Sequence, residues 1–273
     1  MRSATTDTVG VMCGRVAIAS SSKELSQHMN VDVVVATLEE PDHNVAPTGL
    51  VPMVWTARRA DTTGNCTPNA ATTRTLGIAR WGFVPSWEQG PSIGGRLFNA
   101  RAETVAEKPS FRAALRQRRC LIPVDGFFEW GPAVPGSREQ IQKQPWYVQR
   151  VDGNPMVLAG LWEEWSQGGE IGCVPVMNTC TVITVQANVD LETVHSRMPV
   201  VVESDSWANW LAPTVTNPGD VLSILRSAES GVLRVHPVDH RVGNTRNKGS
   251  DLLKEVSVLV DGSNGAGGQV TLW

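Results

Sequence analysis

Arg119-Cys120-Leu121-Ile122-Pro123-Val124 and, directly behind it, Asp125-Gly126-Phe127-Phe128-Glu129-Trp130 form the stretch whose reading decides the fold. The first six residues have the apolar, branched content and the turn-residue flank of a strand. Ahead of them the periodicity is helical. A helix capped at Ser110 and running through 117 would turn Phe111, Ala114 and Leu115 inward and Arg112, Arg116 and Arg119 outward. Working outward, the same strand criteria select 50–57, 75–81, 146–150, 156–161 and 180–185. Helix signals are fewer: 22–29, and a segment capped by Ser204 or Asp205 in which Trp207, Trp210 and Leu211 share a face. Strands outnumber helices and do not alternate with them. That order excludes a doubly wound α/β sheet and predicts an α+β fold.

No internal repeat or linker divides the chain, so one domain is expected over 12–262. Residues 1–11 read as an extension or a mis-assigned start, 60–74 as a Thr/Asn/Gly-rich surface insertion, and 263–273 as a flexible tail. The chain has 273 residues, 41% of them hydrophobic and 19% charged, a balance that fits an ordinary globular protein. No apolar run has the length of a membrane helix, and the N-terminus lacks the apolar core of a secretory signal, so a cytoplasmic protein is expected. The net charge of −3 and pI near 6.0 argue against general affinity for nucleic acid. Any such affinity must come from a local Lys/Arg cluster. Ten Trp against one Tyr supply large rings for a core or a stacking groove.

Five cysteines without a C-x-x-C suggest neither a disulfide framework nor a zinc site. Cys120, Cys173 and Cys180 read as core residues of strands and Cys66 as an incidental exposed thiol. His236 and His240 share a four-residue spacing, but Pro237 breaks the helix that would aim both at a metal. No metal or cofactor is expected.

Four clusters could carry chemistry. In Met12-Cys13-Gly14-Arg15, translation from Met12 followed by removal of that Met would leave Cys13 with an α-amine and a thiol on adjacent carbons. An α-amine titrates at about 7.7–8.0, so much of it is free base near neutrality. Such a pair captures an aldehyde twice, first as a Schiff base and then as a five-membered thiazolidine. Taken alone, the tetrapeptide fits a buried strand cysteine equally well. In Phe98-Asn99-Ala100-Arg101-Ala102-Glu103, extended backbone sends Asn99 and Arg101 to one face, suited to a sugar or phosphate. A turn Asn beside a solvated Arg is the plainer reading. Glu129 stands between aromatic residues, where lost hydration would raise its pKa and make it a proton donor. Alternation equally allows Glu129 to face solvent while Phe128 and Trp130 face the core. His195, in Val194-His195-Ser196-Arg197-Met198-Pro199, is placed to shuttle protons at the entry to a strand or loop.

In this order the clusters resemble the SOS-response-associated peptidase family of abasic-site processing proteins. The matching stretches are MCGR (12–15), NVAPT (44–48), RWGFVPSW (80–87), FNARAE (98–103), FR (111–112), RCLIP (119–123), GFFEW (126–130), TVQAN (184–188), HSRMP (195–199) and VGN (242–244). Ten short matches in sequence order are far more specific than any one of them. The resemblance implies a barrel-like mixed sheet and a groove for single-stranded DNA. It also implies a thiazolidine crosslink between the N-terminal cysteine and a ring-opened abasic site.

By the same resemblance Cys13 is the nucleophile, Asn99 orients amine and sugar, and Glu129 and His195 move protons. Arg15, Arg101 and Arg197 grip phosphates. Pro47, Trp81 and Trp87 form a wedge and stacking surface, which suits a lesion without a base. A monomer acting on abasic single-stranded DNA is implied, associated with the nucleoid if bacterial. The family's cysteine follows the initiator Met, whereas Cys13 follows eleven residues and a Met. A start at Met12, removal of the extension, or loss of the reactive amine would each account for this, preferred in that order. Two rival functions stay open: an N-terminal-nucleophile peptidase or amidase acting through Cys13, and a non-catalytic reader of single-stranded DNA.

Overall fold

The stretch at the centre of the sequence reading passes from one sheet into a second: residues 119–124 pair in the first and 126–131 in the other. The computed structural model describes residues 13–58, 72–132, 143–166, 176–213 and 217–257. The expected extension and tail lie outside these residues, as do Cys66, Cys173 and the expected insertion up to 71. Its described end, from Thr72, is already strand.

In chain order the strands are β1 (Val16–Ile18), β2 (Val33–Val34), β3 (Asp42–Val45), β4 (Leu50–Arg58), β5 (Thr72–Trp81) and β6 (Asn99–Arg101). They continue with β7 (Arg119–Val124), β8 (Gly126–Gly131), β9 (Gln144–Arg150), β10 (Met156–Trp165), β11 (Met177–Gln186), β12 (Arg197–Pro199) and β13 (Leu233–Pro237). The helices are α1 (Ser22–His28), α2 (Pro109–Gln117), α3 (Trp207–Leu211) and α4 (Pro218–Leu222).

Strands β5, β4, β7, β10 and β11 follow one another by antiparallel pairing, and a parallel pairing of Thr179 with Arg80 and Cys180 with Trp81 closes the ring. Closure removes the open edges that a sheet would otherwise present. β6 and β12 extend β11, and β2 adds to β5. A second, antiparallel sheet runs β13-β9-β8-β1-β3. The architecture is α+β with a barrel-like mixed sheet, as expected.

The six strands expected from composition all form, several with longer ends. The short β1, β3, β6, β12 and β13 carry too few residues for a periodic signal. α1 starts with a capping box: Glu24 N–H donates to Ser21 Oγ at 3.3 Å, and Ser21 N–H donates to Glu24 Oε2 at 2.8 Å. α2 starts at Pro109 instead of being capped by Ser110, because a proline's fixed φ and missing N–H suit the first turn. α3 starts at Trp207 with no side-chain cap, so neither Ser204 nor Asp205 plays that part. Trp207, Trp210 and Leu211 are buried together as the spacing predicts.

Arg119 corrects the outward placement expected for it. It is 4% exposed, and its guanidinium donates to Leu115 O at 2.6 Å, Arg116 O at 2.9 Å and Trp210 O at 2.7 Å, and also to Ala212 O. These are carbonyls from the last turns of α2 and α3, which have no partner within their own helices. A cation there also suits both helix dipoles.

β8 is buried on both faces. Phe127 enters the main core, while Phe128 joins a second cluster with Ala17, Tyr147, Val238, Val242 and Leu252. At Gly126 a Cβ would stand 2.5 Å from both the Tyr147 hydroxyl and the Val148 carbonyl oxygen, so only glycine lets β8 lie this close to β9.

Candidate active site

Cys13 precedes β1 in the second sheet, and Asn99 opens β6 on the barrel. Their meeting point is the seam between the sheets. The Cys13 backbone nitrogen donates to Glu129 Oε2 at 2.8 Å, and Asn99 Nδ2 donates to Cys13 O at 3.4 Å. Glu129 is 2% exposed and lies on the same face of β8 as Phe127, turned into the protein. The solvent-facing alternative for Glu129 is thereby excluded, since both faces of this strand are covered.

Burial raises the Glu129 carboxyl above its ordinary range, against the pull of His195 and the N–H groups of Cys13 and Trp130. Cys13 is fully buried, and burial, helped by the negative charge of Glu129, pushes its thiol well above the usual range. Its φ of 36° lies in the left-handed region, uncommon for a residue with a side chain. His195 is half-buried and sits close enough to Glu129 to favour its charged form. The imidazole Nδ1 accepts the Arg197 N–H at 3.1 Å, which leaves the proton on Nε2.

Thus Cys13, Asn99, Glu129 and His195, far apart in sequence, converge. The residues expected to face DNA divide. Arg101 and Trp87 are exposed, the latter at 58%, and Pro47 is half-buried in a turn. That turn carries Thr48 at φ 75°, a strained value for a branched residue, and Thr48 N–H donates to Trp81 O at 2.7 Å. Trp81 itself is 1% exposed, with its indole N–H on Phe98 O at 2.9 Å and its ring edge-on to Phe98. The stacking role expected for Trp81 is corrected: its ring is core, and its backbone anchors the Pro47 turn. Arg15 donates to Asn44 Oδ1 at 2.6 Å and Val242 O at 2.7 Å and lies over the Trp130 ring. Arg197 is engaged by Glu103 and Thr184. Both arginines are therefore tethers in this state, and Arg101 alone of the three presents an exposed side chain.

A family model described as SOS response associated peptidase (SRAP) matches residues 12–245. The chain belongs to the SRAP family. It is 31% identical over 246 residues to abasic site processing protein YoqW of Bacillus subtilis, covering 89% of this chain and 99% of that one. It is 27% identical over 232 residues to abasic site processing protein HMCES of Xenopus tropicalis, covering 76% and 64% respectively. Among solved structures, a Bacteroides thetaiotaomicron protein superposes with a TM-score of 0.70 at 18% identity, over 89% of this chain and all of that one. At that identity the likeness concerns the fold.

Sequence reasoning missed one residue that shapes this SRAP site. Asn44 is fully buried, and besides accepting from Arg15 its amide donates to Val242 O and Asn244 O at 3.1 Å and to Asn247 O at 2.9 Å. It ties β3 to the 242–247 segment and so braces Arg15, two residues beyond Cys13. NVAPT and VGN were both visible as motifs, but nothing in either string says that they touch.

Proposed function

We propose that this protein processes abasic sites in DNA by covalent capture on Cys13, with single-stranded DNA as the preferred substrate. The observation that carries the reading is the seat of the Cys13 nitrogen, 2.8 Å from a buried Glu129 carboxylate. Freed of the residues before it, that nitrogen is an α-amine. A carboxyl with a raised pKa can accept the ammonium proton and leave a neutral nucleophile. The names of the SRAP relatives YoqW and HMCES support abasic DNA as substrate.

The chemistry follows from the groups present. A ring-opened abasic site is an aldehyde. The Cys13 amine adds to its carbon, and the resulting carbinolamine loses its hydroxyl as water, with Glu129 supplying the proton. The thiol then adds to the imine carbon while the imine nitrogen gains a proton, with His195 as relay. The thiazolidine contains every atom of both partners less one water. Because burial keeps the thiol protonated, the first bond falls to nitrogen and the sulfur closes the ring. Asn99 would orient the amine and sugar, exposed Arg101 would meet phosphate, and Pro47 with Trp87 would face the neighbouring bases.

Cys13→Ser in protein that begins at residue 13 tests the order of steps. The amine survives, so borohydride should trap an adduct that otherwise hydrolyses or cleaves the strand. Untreated, heat-stable adduct at the wild-type yield would remove the thiol from the mechanism.

A further inference from the structure

Glu103 lies in the turn after β6 and has no part in the reaction as written above. Its carboxylate holds the Arg197 guanidinium by two parallel bonds, Nη1 to Oε1 at 2.7 Å and Nη2 to Oε2 at 2.9 Å. Nη2 also donates to Thr184 O at 2.6 Å. The Arg197 side chain is 16% exposed and the Glu103 side chain 52%, so a bidentate surface carboxylate holds a mostly buried guanidinium. Arg197 opens the three-residue β12, and its own N–H is the donor to His195 Nδ1 at 3.1 Å. The hydrogen bonds from Arg197 hold the Glu103 carboxyl below its ordinary range, so it stays charged near neutrality.

A negative side chain beside Arg101 and Arg197 works against phosphate binding, so affinity for DNA does not account for its presence. We propose that Glu103 is a positioning residue for proton transfer at Cys13. It fixes Arg197, and the Arg197 backbone fixes His195 with its proton on Nε2. While the Arg197 N–H points at Nδ1, the imidazole meets the site through Nε2. Glu103 acts only through other residues. This inference rests on the covalent-capture reading for its kinetic consequence, but not for its structural one.

The test uses protein beginning at Cys13, with Glu103→Gln and Glu103→Asp. In the DNA-free protein, imidazole ¹⁵N NMR should find one His195 tautomer in wild type and a mixture in Glu103→Gln. With single-stranded abasic DNA and saturating protein, Glu103→Gln should form adduct about ten-fold more slowly. It should bind intact single-stranded DNA as tightly as wild type or more so, and Glu103→Asp should recover part of the rate. In a His195→Ala background Glu103→Gln should cause no further slowing. An unchanged His195 tautomer together with an unchanged rate overturns the proposal. Joint loss of binding, rate and melting temperature, unrelieved by Asp, also overturns it, because it marks a merely structural pair. If wild type forms no adduct, the capture reading fails, and the tautomer measurement still decides the role of Glu103.

Discussion

Glu129 is the residue on which chemistry and stability pull in opposite directions. Desolvation raises its pKa in the folded protein, while the unfolded chain titrates near the ordinary value of about 4.3. As pH rises through that value the unfolded chain releases its proton and the folded one retains it. Folding stability therefore falls between the unfolded pKa and the raised folded pKa, and stays lowered at neutral pH. Glu129→Gln keeps the shape and an oxygen for the Cys13 N–H without the buried charge. Its expected effect is a gain on the order of 1 kcal/mol at pH 7, about 2–4 °C in Tm for a domain of this size. The gain should vanish below about pH 4, while adduct formation slows. Thermal melts from pH 3.5 to 7.5 check this, and a variant less stable than wild type at pH 7 would contradict it. The aromatic flanks of Glu129 pointed to desolvation in the sequence. Its inward direction was not legible, because alternation sorts the two faces of a strand only when one of them meets water.

At the scale of elements, Arg119 is the part that ties helices to barrel. It supplies donors to the ends of α2 and α3 at once, and burial lowers its pKa to about 10 without discharging it at neutral pH. Arg119→Ala would leave four carbonyls short of a donor and should cost about 3 kcal/mol in urea unfolding. Arg112→Ala, on the exposed flank of the same helix, should stay within about 0.5 kcal/mol. Equal effects would mean that the carbonyls find other donors. Helical spacing put Arg119 beside Arg112 and Arg116, but it is already the first residue of β7, where the helical wheel no longer applies. The long strands β4, β5, β7, β10 and β11 were legible because each carries enough apolar residues to declare itself. The ring they make was not, since closure depends on the two-residue parallel contact between β11 and β5. Trp81 shows the same limit. Its motif marked a place near the site, and only packing decides that the backbone matters there and the ring does not.

Over the whole molecule, the two sheets bring Cys13 from one and Asn99 from the other to a single seam. A chain of net charge −3 then needs only local cations at the mouth of that seam. Four catalytic candidates chosen from separate motifs converge on it, while two of the three arginines expected to grip phosphate are engaged by other groups of the protein. The central claim is that the Cys13 nitrogen and sulfur both bond to the abasic carbon. Denaturing intact-mass spectrometry tests it most directly, on protein beginning at Cys13 and on protein retaining residues 1–12, each incubated with single-stranded DNA bearing one abasic site. The expected result is a heat-stable species of the combined masses less one water from the first protein and none from the second. No adduct from the first, or an equal yield of heat-stable adduct from the second, would contradict the account.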